Sequence, residues 1–137
     1  VFYSFDLLIP ANTLKAAPVE REVNLTWGVI TEVEIRFPPR CVGLAGVRIL
    51  EHRHQLWPTN LDAWFYGNDE TIKWDEYHEL FEMPAIFTLL GYNDDDTFPH
   101  TPIIRFEILH PLVAMAKYGA SPGITATRPI PILWEEL

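Results

Sequence analysis

Two histidines, His52 and His54, flank Arg53. Residues two apart on a strand point to the same side, so both imidazoles could reach one metal ion. Three consecutive carboxylates, Asp94, Asp95 and Asp96, follow Tyr92 and Asn93 and offer the hard oxygen ligands that calcium takes. His100 beside Asp96 could form an acid-base pair, and Asp69, Glu70 and Asp75 supply further carboxylates. Five tryptophans, Trp27, Trp57, Trp64, Trp74 and Trp134, provide flat apolar faces of the kind on which sugar rings stack.

Each of these candidates lacks something its chemistry requires. Gly46, followed five residues later by His52-Arg53-His54, resembles the opening of the cupin metal motif. That motif next needs a glutamate where Pro58 and Thr59 stand, and no second half-motif follows, so the histidines are expected on a wet strand face or rim. Counted from Asp94, the sixth and twelfth positions of a calcium loop hold Pro99 and Arg105 instead of glycine and glutamate, which favours a solvated loop. His100 and the carboxylates give no recognisable catalytic triad. Gly43 and Gly46 lack the Lys-Ser/Thr of a phosphate loop and are expected in a turn or bulge. Trp57 and Trp64 lie close to turn residues, where an exposed sugar-binding indole would sit, although most tryptophans of a small β domain pack in or beside its core. The expectation is a protein with no catalytic, cofactor or metal residue.

The elements that must carry these side chains read as strands. From Val19 to Trp27 the apolar Val19, Val23, Leu25 and Trp27 alternate with Glu20, Glu22, Asn24 and Thr26. After Gly28, Val29, Val33, Ile35 and Phe37 share one face and Glu32, Glu34 and Arg36 the other, until Pro38 and Pro39 end the run. Further β-rich runs cover Phe2 to Ile9, Val47 to His52, Gln55 to Trp57, Ala63 to Tyr66, Thr71 to Trp74, Ile86 to Tyr92 and Ile103 to Leu109. Asp75 to Glu82 fits a strand or a short helix, since Tyr77, Leu80 and Phe81 recur at helical spacing behind Asp75. Short strands at this spacing predict an all-β, antiparallel, jelly-roll-like sandwich over residues 1–109. Residues 110–137 predict a short helix opened by Pro111 and closed by Gly119, then an extended tail spaced by Pro122, Pro129 and Pro131.

Composition narrows the partners. The chain has 137 residues, 48% of them hydrophobic, enough for one core. Its formal charge of -9 repels phosphate backbones and anionic headgroups, which argues against nucleic acid and membrane surfaces. Cys41 is the single cysteine, so no internal disulfide forms. The first residues lack a signal-peptide pattern, so a soluble product made in a cytoplasm is expected.

Three stretches carry a family resemblance: Leu25-Thr26-Trp27-Gly28-Val29-Ile30, His54-Gln55-Leu56-Trp57-Pro58-Thr59-Asn60 and Gly91-Tyr92-Asn93-Asp94-Asp95-Asp96-Thr97. Over about Val19 to Leu109 the chain resembles small β-sandwich structural proteins of tailed phages and prophage-like elements, of the head-decoration type. The resemblance implies a non-enzymatic virion protein, made in the host cytoplasm, that binds further copies of itself, a trimer being one arrangement, and a viral shell protein. It carries over no functional residue. The expected contact elements are the first strand, with Phe2, Tyr3 and Phe5, and the tail, with Ile130, Ile132, Leu133 and Trp134, which either closes an edge of its own sheet or crosses to a neighbour. The alternative is a carbohydrate-binding module that uses exposed tryptophans.

Overall fold

The computed structural model describes residues 1–119. They form nine strands: β1 (Phe2–Asp6), β2 (Val19–Leu25), β3 (Gly28–Phe37), β4 (Ala45–Glu51), β5 (His54–Trp57), β6 (Phe65–Tyr66), β7 (Glu70–Leu80), β8 (Ala85–Asn93) and β9 (Ile103–Leu109). A short helix, α1 (Pro111–Ala114), runs into a wider π-type turn, Met115–Gly119.

Two antiparallel sheets pack face to face. One has the order β1-β9-β3-β7 and the other β2-β8-β4-β5, with β6 also paired to β4. Most consecutive strands change sheet, so the chain winds around the core as in a jelly roll. Alternation supplies the core directly: Val33, Ile35 and Phe37 of β3 and Ile104, Phe106 and Ile108 of β9 face Val47 and Ile49 of β4 and Phe87 and Leu89 of β8. Phe87 packs on Phe106 with ring centroids 5.8 Å apart, joining the two sheets at their centre.

Several expectations change. Asp75 to Glu82, open between strand and helix in the sequence, is strand as far as Leu80: β7 continues there because its alternating Ile72, Trp74, His78 and Leu80 line the inner face, and β3 pairs along its length. The first strand ends at Asp6; beyond it Leu7 and Ile9 donate backbone N–H groups to Pro102 and His100. The Ala63 to Tyr66 run contributes only the two residues of β6. Gly46 is no turn residue. It lies inside β4, where a Cβ would run into the Tyr92 ring. Gly43 does occupy a turn, with φ +74.

The face assignment of β3 is also corrected. A bulge at Thr31 lets three β3 residues, Ile30 to Glu32, span the Ile108–Glu107 step of β9. The extra residue reverses the alternation, so Ile30 joins Val33 in the core and Val29 turns to the outer face. There α1 packs over the start of β3, and Ala114 is buried. Trp27 leaves the Val23 and Leu25 face as well, because Thr26 and Trp27 form the crossing from one sheet to the other.

Candidate functional site

The His52-Arg53-His54 triplet is a hairpin turn. His52 and Arg53 have φ +48 and +70, and Glu51 pairs with His54 across them, the geometry of a two-residue primed turn. His52 is therefore outside strand alternation, and the two imidazoles are not set on one strand face. Arg53 instead clamps Glu20 of β2 with two nitrogens at 2.9 and 3.2 Å, which holds the Glu20 carboxyl below its usual range. Glu20, Glu22, His52, Arg53, Ile86 and Thr88 line a shallow groove over this corner. Among the described residues no three or more His, Cys, Asp or Glu side chains converge as metal ligands would.

The acidic loop is organised around Asp95. Its carboxylate accepts the backbone N–H groups of Thr97 and Phe98, and its second oxygen lies 2.8 Å from His100 Nε2. The histidine thus pairs with Asp95 and not with Asp96, whose carboxylate accepts the Thr97 hydroxyl. Asn93, fully buried, receives the Asp95 N–H on its Oδ1 and donates its amide to the Ile9 and Phe98 carbonyls. The Asp95 and Asp96 carboxylates are bonded within the loop, Asn93 ties it to Ile9, and the Ile9–His100 bridge fastens it to the first strand's continuation. Asp69 is likewise occupied, by Arg36 at 2.6 Å.

The tryptophans separate into three environments. Trp57 is 6% exposed and meets Trp74, His78 and Phe87 edge-on or tilted between the sheets. Gln55 builds the loop after it, donating its amide to the Pro58 and Asn60 carbonyls and accepting the Asp62 N–H. Trp64 lies half-buried outside the five-stranded sheet, with the Arg48 guanidinium 3.9 Å over its ring and Tyr92 packed against it at 4.8 Å. Lys15 stands 4.8 Å over the Tyr92 ring, so two cations occupy faces a ligand would use. Tyr66 beside them stays open.

Trp27 belongs to a third cluster. The β2–β3 and β7–β8 crossings run side by side, since Leu25 pairs with Ala85 and Gly28 with Leu80. Gly28 allows this close entry: its φ is +152, and a Cβ would lie 2.7 Å from the Leu109 carbonyl oxygen. Trp27 then meets Phe81 at 5.6 Å and the His110 ring edge-on, also at 5.6 Å. Trp27 is 46% and Phe81 45% exposed, an apolar cluster standing in water at one end of the sandwich. Met83 on the same crossing and Leu112 and Val113 on α1 are exposed too.

Two further arrangements escaped sequence reasoning. Glu51 and His78, on different sheets, meet at 2.9 Å beside Trp57, closing the sandwich interior. Reading Asp75 to Leu80 as a strand would have put His78 on the inner face with Trp74; nothing pointed to Glu51 as its partner. The Thr31 bulge aims its hydroxyl at Glu107 Oε1, 2.7 Å away, and Lys117 Nζ reaches the same oxygen at 3.3 Å. Tyr118 donates to the Thr31 carbonyl at 3.4 Å, so the bulge anchors the end of the helical stretch.

Of the expected contact residues, Tyr3 and Phe5 stack on each other at 5.7 Å on the inner side of β1 and pack against the core, while Phe2 points outward. Among the described residues β1 pairs only with β9, at the sheet's edge. Ile130, Ile132, Leu133 and Trp134 lie outside the described residues. No family model and no curated protein matches the chain. No helix among the described residues is long and apolar enough to cross a membrane.

Proposed function

We propose that this chain is a non-enzymatic virion structural protein that decorates or stabilises a phage capsid through contacts with its own copies and with a shell protein. The observation that carries the reading is the surface inventory: large apolar side chains such as Phe2, Leu8, Leu14, Trp27, Phe81 and Phe98 stand exposed on an acidic sandwich. Meanwhile the residues with chemical potential, His52, Arg53, Asp95, His100 and Arg48, serve turns, loop bonds and ring contacts of the fold itself. Burial of such apolar groups between copies would drive assembly, and the acidic rim would limit nonspecific association. Phe2, Tyr3 and Phe5 with Ile130, Ile132, Leu133 and Trp134 are the proposed contact elements.

The test is assembly. Sedimentation of the intact chain over a range of concentrations should show species above its 15.8 kDa monomer, and incubation with emptied phage heads should leave it bound to particles. Phe2→Asp should weaken both. A chain that stays monomeric and binds no particle overturns the reading.

A carbohydrate-binding role is the second reading, supported by Tyr66 at 63% exposure beside Trp64 and Tyr92. Trp57, buried in the core, drops out of it. A glycan array without response, and tryptophan fluorescence unmoved by sugars, would remove this alternative.

A further inference from the structure

We infer that β1 is the seam of a symmetric dimer, in which its free edge pairs antiparallel with the β1 edge of a second copy about Ser4. The inference rests on the assembly reading and gives its self-contact a place and a register.

Backbone geometry defines the seam. The Val1 carbonyl accepts the Ile108 N–H and the Leu7 N–H reaches the Pro102 carbonyl, so the odd residues of the strand, Tyr3 and Phe5 included, turn their backbone groups to β9. Phe2, Ser4 and Asp6 therefore turn theirs to the open side, where among the described residues no strand lies. Arg21 of β2 closes one end of that edge, donating to the Asp6 carbonyl at 2.6 Å with its guanidinium 5.4 Å over the Phe5 ring. The Phe2 and Ser4 groups and the Asp6 N–H are left without a strand to meet.

The other sheet edges carry the features that deter a second strand. β2 holds Glu20, Arg21 and Glu22 in succession, and β7 holds Lys73, Asp75 and Glu79 along its length. The β5 and β6 edge is broken into runs of four and two residues. From Phe2 to Phe5 β1 has no charge, no proline and no bulge.

Side chains select a copy of the same strand as the occupant. With Ser4 on the two-fold axis, the two Ser4 residues exchange both backbone bonds, and each Asp6 N–H reaches the Phe2 carbonyl of the other copy. Tyr3 then lies opposite Phe5 in both directions, extending the aromatic stack that already joins them at 5.7 Å within one chain. On the outer face Asp6 meets Phe2 and not its own like charge, and the small Ser4 leaves room at the axis. A seam five residues long is small for an interface, so it closes at high concentration or where a shell holds copies side by side.

The experiment uses the full-length chain and reads amide hydrogen exchange and sedimentation over a range of concentrations. The Phe2 and Ser4 amides should exchange freely in dilute solution and slow at least tenfold as dimer forms. Ser4→Pro removes an N–H that β9 does not use, so the monomer should keep its urea midpoint while the dimer is lost. Ser4→Cys should yield a disulfide-linked dimer on mild oxidation, because residues paired this way stand about 5.5 Å apart at Cα. Lys73→Cys, on the opposite edge, should not. Phe2 and Ser4 amides that exchange equally fast at every concentration overturn the inference, and so do amides protected equally at every concentration, which would put the cover within the chain. A Ser4→Pro chain that self-associates like the intact one overturns it too, and leaves the assembly reading standing through another surface. An intact chain that stays monomeric and binds no particle overturns the reading itself.

Discussion

Asp95 and His100 meet at 2.8 Å across the β8–β9 loop, and the same carboxylate receives the backbone N–H groups of Thr97 and Phe98. The Thr97 N–H first, then His100 and the Phe98 N–H, hold the Asp95 carboxyl below its usual value. A depressed acid contributes stability that is complete above its unfolded pKa of about 3.9 and disappears as pH falls through the lower folded value. Urea midpoints measured between neutral and strongly acid pH should therefore fall on the acid side. Asp95→Asn, which keeps the acceptor but not the charge, should lower stability at neutral pH and flatten that acid limb.

Phe87 contacts Trp57, His78 and Phe106 at the centre of the sandwich and is fully buried. Phe87→Ala removes packing from both sheets and should cost about 3–5 kcal/mol in urea unfolding. Phe2→Ala on the outer side of β1 should stay within about 0.5 kcal/mol in the monomer.

Gly46 allows the Tyr92 ring to lie across β4. Gly46→Ala should destabilise by about 1–3 kcal/mol through overpacking. In a Tyr92→Leu background the same substitution should cost measurably less, because the two positions share one space.

Thr31→Val keeps the shape of the bulge and removes the hydroxyl that Glu107 accepts. The Glu107 carboxyl, held low chiefly by that hydroxyl with help from Lys117, should then titrate at higher pH. The loss should be about 1–2 kcal/mol. Hydrogen exchange at residues 115–118 should speed up as their anchor weakens.

Cys41 is fully buried, and desolvation, with Asp95 adding its charge, pushes its thiol above the ordinary value. A thiol reagent such as DTNB should label the native chain slowly. The rate should rise to that of a free thiol in denaturant.

The strand pattern was legible because burial on one face writes a period of two into the residues themselves. The Val19 to Leu25, Ile103 to Leu109 and Thr71 to Trp74 runs carried that signal. It failed at two places and left a third open, for identifiable reasons. At β3 one extra residue, Thr31, reverses the face, and a bulge is defined only by counting residues on the partner strand. At His52 and Arg53 a run of apparent strand conceals a turn, because left-handed φ values are imposed by the pairing of Glu51 with His54 despite residues that do not ask for them. At Asp75 to Leu80 local spacing fitted two periods, and pairing with β3 chose between them.

The candidate sites were less legible still. Sequence proximity suggested His52 with His54 and His100 with Asp96, but polar partners are set by which loops face one another. Glu51 and His78 are 27 residues apart, and Thr31 and Glu107 76 apart. Trp27, Phe81 and His110 come from three separate connections.

By itself the sequence determined an all-β antiparallel sandwich, the strands that build it and the acidic charge of its surface, because these depend on periodicity and composition, which are local. Only the tertiary structure decided which side chains meet, which face Val29 and Ile30 take, and that Trp27 stands in water while Trp57 does not. Those outcomes depend on register and on sheet crossings, where a shift of one residue exchanges inside for outside.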